Sequence, residues 1–305
     1  MRRGGSCLAG LVILAAVACD DPIGPQLDAT ELCASQPDQS SVVAFEDPLL
    51  EAEVRAELGL DAGEAMTCRR VAELEELNAG DAGITSLVGL QNLTGIKSLL
   101  MADNSISDLG PLSDLIALEF VDLQGNDITD LRPLSGLNLL ALSLTRNSIS
   151  DIGPLSSIVP LQLLALDHNQ ITDIGPLADL TSMLRLVLFG NSIVDLSPLT
   201  GMGRLDLLDV GDNPTPDLEP LRGLTTLTVL GLDGANITDI GPLVDLILLR
   251  LVVLDNNPNL ENIQPLIDNR GFGTRSTLQV RETRVSCADV KTLTDRGVTV
   301  ISDCT

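Results

Sequence analysis

The sequence predicts an α/β solenoid, a coil of stacked and nearly identical turns, and three observations carry that expectation. Pro111, Pro133, Pro154, Pro176, Pro198, Pro220, Pro242 and Pro265 follow one another at intervals of 21 to 23 residues. So regular a period marks units that each bury their apolar side against the next. Each unit repeats one aliphatic frame: in LQLLALDHNQITDIGPLADL, Leu161, Leu164 and Leu166 lead to Asn169. The 305 residues are 44% hydrophobic yet hold no Trp, no Tyr and four Phe, so the core must be aliphatic.

The elements follow in chain order. Arg2 and Arg3 precede the apolar stretch Leu8 to Ala18, which suits a secretory h-region and falls short of the roughly 20 residues that span a bilayer. Ala16-Val17-Ala18-Cys19 then resembles a bacterial lipobox. Residues 1–18 are therefore expected to be a signal peptide and Cys19 a lipidated first residue. Ordinary cleavage after Ala18 would instead release a soluble chain. Residues 19–41 are rich in Asp, Pro, Ser and Gln and are expected to form a flexible tether.

Residues 42–73 read as an N-terminal cap. Asp47 is placed to cap a helix that begins at Pro48, buries Leu50, Val54 and Leu58, and stops at Gly59. Residues 74–270 hold about nine repeats, with the Asn position filled by Ala82, Asn104, Asn126, Asn147, Asn169, Asn191, Asn213, Ala235 and Asn257. Residues 271–305 read as a second cap, with a helix from Cys287 to Arg296 closed by Gly297 and a strand over 298–301.

The frame L-x-x-L-x-L-x-x-N-x-I resembles the leucine-rich repeat family, in the 22-residue class of bacterial internalins, over residues 42 to 305. The resemblance implies a leucine-rich repeat right-handed superhelix with a concave parallel β-sheet, a helical N-terminal cap and a disulfide-closed C-terminal cap. It implies a general binding scaffold rather than one function. Without residues 1–18 five cysteines remain, and lipid on Cys19 leaves four to pair. Nine strands set the two caps roughly 40 Å apart, beyond the roughly 7 Å reach of a disulfide. Cys33 is thus expected to pair with Cys68, and Cys287 with Cys304.

Stacking turns repeat positions into columns about 4.8 Å apart. The Asn column is read as a turn device that satisfies backbone groups. Asp108, Asp130, Asp151, Asp173, Asp195, Asp217 and Asp239 form a second column, with Ser86 and Asn262 at its ends. All three residue types belong to the set that caps turns, and the Asp positions do so ahead of x-x-Pro. A calcium site would need six to eight oxygens, and Ile, Leu, Gly and Pro flank these carboxylates, so no metal and no cofactor is expected.

What varies is the groove. Alternation along each strand points the frame leucines inward and the residues between them outward. Leu100, Phe120, Leu163, Val187, Phe189, Leu207, Val229, Leu251 and Val253 then form an apolar band beside Arg185, flanked by Asp122, Asp167, Asp209, Asp233 and Asp255. An exposed apolar band of this extent is expected to bind a ligand. The formal charge of −25 argues against nucleic acid or anionic headgroups. The single histidine, His168, excludes a multi-histidine metal cluster, and no nucleophile has an evident base partner.

The expectation is a non-catalytic monomer, held in the bacterial cell envelope by its lipid, or secreted without it. It would bind a protein partner through its concave face. The alternative is a structural or assembly protein of the envelope with no specific groove ligand, and homodimerisation through the groove is a variant of binding.

Overall fold

A computed structural model describes residues 24–36, 39–61, 63–215 and 217–304; the expected signal peptide and Cys19 lie outside the described residues. Within each turn the leucines on either side of one outward residue are forced inward, and that short alternation makes a strand. The strands are β1 (Glu76–Asn78), β2 (Ser98–Leu100), β3 (Phe120–Asp122), β4 (Ala141–Ser143), β5 (Leu163–Ala165) and β6 (Arg185–Val187). They continue as β7 (Leu207–Asp209), β8 (Val229–Gly231), β9 (Leu251–Val253), β10 (Thr277–Val280) and β11 (Thr299–Ser302). All eleven stand in chain order in one sheet. Pairing is parallel and in repeat register, with Leu163 opposite Arg185 and Leu164 opposite Leu186.

Leaving the strand, each turn is clamped by its Asn. Asn126 Nδ2 donates to the carbonyls of Met101, Leu123 and Gln124, while its Oδ1 accepts the Ile106 N–H at 2.9 Å. The same set recurs at Asn104, Asn147, Asn169, Asn191, Asn213 and Asn257. Two of these groups belong to the preceding turn, so the column stitches neighbours together as well as satisfying its own bend. The Asp column then starts each return segment. Asp151 Oδ1 accepts the Gly153 N–H at 2.8 Å, and Asp173 Oδ1 accepts that of Gly175 at 2.7 Å. Ser86 and Asn262 accept the equivalent N–H of Val88 and Gln264. Each Asp bracket leads into a short 3₁₀ turn with Pro in its first positions, where its fixed φ fits and no donor is missed.

At the N-terminal end helix α1 (Pro48–Glu57) covers the first turn with Leu50 and Val54 buried. Asp47 caps it by accepting the Leu49 N–H, and its second oxygen accepts the N–H groups of Thr85 and Ser86. Burial would raise this carboxyl, but the three N–H donors and the Thr85 hydroxyl hold it below the usual range. A short helix α2 (Cys68–Ala72) follows. Cys33 is bonded to Cys68 and Cys287 to Cys304, each pair with Cα atoms 5.5 Å apart.

Two parts of the ends depart from the sequence expectation. The segment expected as a flexible tether up to residue 41 is docked where it is described: Leu27 and Cys33 are buried. Asn92 accepts the Cys33 N–H and donates to Glu31, and Gln91 donates to Ala29. A polar composition concealed this, because the apolar contacts come from two residues and the rest is backbone bonding. At the other end helix α3 (Gln264–Asp268) and helix α4 (Cys287–Asp295, capped by Ser286) flank β10, an extra strand outside the leucine frame.

Candidate binding surface

The outward residues of the strands form three columns across the concave face. Phe120 and Leu163 are exposed apolar side chains of this face, at 43% and 38% of their surface. With Leu100, Asp122, Ser143, Arg185 and Val187 they surround a shallow apolar concavity of about 370 Å³ that runs over β2 to β6. Ala141 and Ala165 form its floor. Sequence reasoning placed these two outward without assigning them a role. Their signal is in the columns: Ala141 stands between the bulky Phe120 and Leu163 in one, and Ala165 between Ser143 and Val187 in the next.

Beyond the concavity the apolar strip continues as half-buried Phe189, Leu207, Val229, Leu251 and Val253. Here the carboxylates gather. Asp209 lies over Gly231, where a Cβ would collide with the carboxylate, and Asp233 lies over Gly211, where a Cβ would approach Asp233 Oδ1 to 2.6 Å. Gly231 on β8 and Gly211 just past β7 thus leave bare backbone for two crossing acids. Asp209 Oδ1 accepts the Gly211 N–H at 3.0 Å. Asp167 is turned toward β4 and accepts the Thr145 hydroxyl at 2.6 Å. Asp122 Oδ1 accepts the Gln124 N–H.

Asp255 must be removed from the exposed acidic flank. It is 6% exposed, and Arg281 holds it: the guanidinium donates from Nε and Nη2 to Oδ2, and the Arg281 N–H donates to Oδ1. The cause is β10, whose continuation brings a basic side chain beside the column.

Burial pushes the Asp209 carboxyl above its ordinary value, with Asp167 adding to the rise and the Gly211 N–H opposing it. Burial and then Asp209 do the same to Asp233. Between the ordinary carboxylate value and the raised folded one, the folded chain holds more protons than the unfolded chain. Stability therefore falls as pH rises through that window, and the penalty is fully present above it. Asp209→Asn keeps the acceptor for Gly211 and removes the charge. Its melting temperature should exceed wild type at neutral pH, and the gain should vanish below the ordinary carboxylate range. A lower melting temperature at neutral pH would contradict this account.

His168 stands at the strand exit with φ 54°, in the left-handed position also held by Asp103, Gly125, Arg146 and Gly190. Its ring meets Phe189 edge-on with centroids 5.3 Å apart. Among the described residues no three His, Cys, Asp or Glu side chains come together as metal ligands. Among them too, no helix is long and apolar enough to cross a membrane.

No protein-family model and no curated protein matches the chain. Among solved structures it is similar to internalin C2 from Listeria monocytogenes, at 35% identity and a TM-score of 0.68, over 69% of this chain and 94% of that one. A second internalin of that organism, inlF, aligns at 24% identity and a TM-score of 0.52, over 85% and 95%. The leucine-rich repeat ectodomain of the plant receptor kinase GASSHO1/SCHENGEN3 from Arabidopsis thaliana, in complex with CASPARIAN STRIP INTEGRITY FACTOR 2, aligns at 17% identity and a TM-score of 0.59, over 75% and 32%. The last two similarities speak to fold alone.

Proposed function

Because the chain belongs to the internalin family of leucine-rich repeat proteins, we propose that it is an exported, non-catalytic protein that binds another protein through its concave face. We propose further that lipid on Cys19 holds it in the cell envelope. The observation that carries the binding reading is the concavity itself. Phe120 and Leu163 stand open to solvent around a floor of alanines, in a fold whose repeated Asn and Asp columns are consumed by turns. Apolar anchors beside a desolvated recess are where interface energy concentrates.

Two further facts support the reading. The disulfides staple both ends of the coil, as suits an oxidising compartment. A receptor ectodomain of similar fold is solved with a ligand in place, so the architecture is compatible with binding. The non-catalytic reading draws on His168, whose ring contact is to Phe189 rather than to a nucleophile or carboxylate.

Site-specific photocrosslinking tests the surface without altering it. A crosslinker at Ala165, on the concave floor, should capture a discrete partner on intact cells. The same group at Ser156, exposed on the opposite 3₁₀ turn, should not. Capture from Ser156 alone would favour the envelope-assembly reading and defeat this one.

A further inference from the structure

We infer that the concave face receives a basic, apolar segment of its partner protein, with an apolar side chain in the Phe120–Leu163 concavity and a lysine or arginine between Asp209 and Asp233. This deepens the concave-face reading and rests on it.

The argument is one of charge complementarity along a continuous surface. The recess over β2 to β6 is lined almost wholly by apolar groups, so it selects an aliphatic or aromatic side chain. Three strands on from β4, at the centre of the recess, Gly231 and Gly211 clear backbone for the carboxylates of Asp209 and Asp233. Asp122, Asp167, Asp209 and Asp233 enter none of the ion pairs formed among the described residues. Of the concave acids only Asp255 is neutralised, and it shows what this surface accepts: a guanidinium laid across the strands with two N–H groups on one oxygen. A chain of net charge −25 further favours a basic partner through long-range steering.

Geometry fixes the spacing. Three strand intervals at about 4.8 Å, from β4 at the centre of the recess to Asp209 on β7, make about 14 Å, which is about four residues of an extended segment crossing the sheet at about 3.3 Å each. The partner should therefore present a large apolar residue and a Lys or Arg about four positions apart.

A random peptide display library, selected on the intact protein, tests this. Enriched peptides should carry that pair, and their affinity should fall as salt is raised. Against Asp209→Asn/Asp233→Asn the same peptides should bind about tenfold more weakly. Against Phe120→Ala/Leu163→Ala they should be lost. Peptides that need Phe120 and Leu163 but carry no basic residue, or that bind the double Asn variant unchanged, would overturn the cationic assignment and leave the concave-face reading standing. Peptides indifferent to Phe120→Ala/Leu163→Ala would overturn both. Failure to enrich any peptide would overturn the segment chemistry.

Discussion

Asn191→Ala should lower the stability of the fold by about 2 to 4 kcal/mol, read as a shift in denaturant midpoint. Asn191 is 9% exposed, and its Oδ1 is the side-chain acceptor for the buried Ile171 N–H at 3.0 Å. Removing it orphans that donor, a loss of about 1 to 3 kcal/mol by itself. The amide also donates to Leu166 and Leu188 at 3.0 and 2.9 Å, and those two carbonyls keep a second donor, from Asn169 and Asn213 respectively. The sharing has a consequence. Asn169→Ala/Asn191→Ala strips Leu166 of both its asparagine donors, so the pair should cost more than the sum of the singles. A simple sum would mean that the column does not act as a ladder.

The chain already lacks the asparagine at Ala82 and at Ala235. Where Ala235 stands in place of the asparagine, the N–H of Thr215 turns to the carbonyl of its neighbour Asn213 at 2.8 Å. The Thr215 hydroxyl, buried at the position filled by Ile in neighbouring turns, is left without a partner. Coupling between successive turns is accordingly weakened here, which in a solenoid of nearest-neighbour contacts favours a division of cooperativity at this point.

The repeat was legible in the sequence because its signals are local and redundant. Leucine spacing, the Asn turn and the Asp bracket each recur every 22 residues or so, and Asp47-Pro48 marks a helix start by the same short-range chemistry. What escaped depends on contacts distant in sequence. Asp255 reads as one more groove acid until β10 brings Arg281 across from 26 residues away. Leu27 and Cys33 sit in a polar stretch whose docking is decided by Gln91 and Asn92 about 60 residues on. The concavity depends on Ala141 and Ala165, whose significance is visible only once Phe120 and Leu163 are seen on either side of Ala141 and Val187 beside Ala165.

Phe120→Asp/Phe189→Asp should reduce capture of the partner by about a hundredfold while leaving the fold intact. Phe120 is 43% exposed on the rim of the recess. Phe189 is half-buried and leans over Gly211 beside Asp233. Neither side chain belongs to the aliphatic core, so substitution removes apolar contact with a ligand and adds charge to a surface already acidic. Two central anchors at about 2 kcal/mol or more each account for a loss of that size, and surface changes outside the core shift stability little. The measurement is a crosslinking pull-down on intact cells that compares wild type with this variant, with matched melting curves to show equal folding. Partners captured by wild type and lost from the variant are expected. The same partners recovered equally from both would contradict the assignment of function to the concave face.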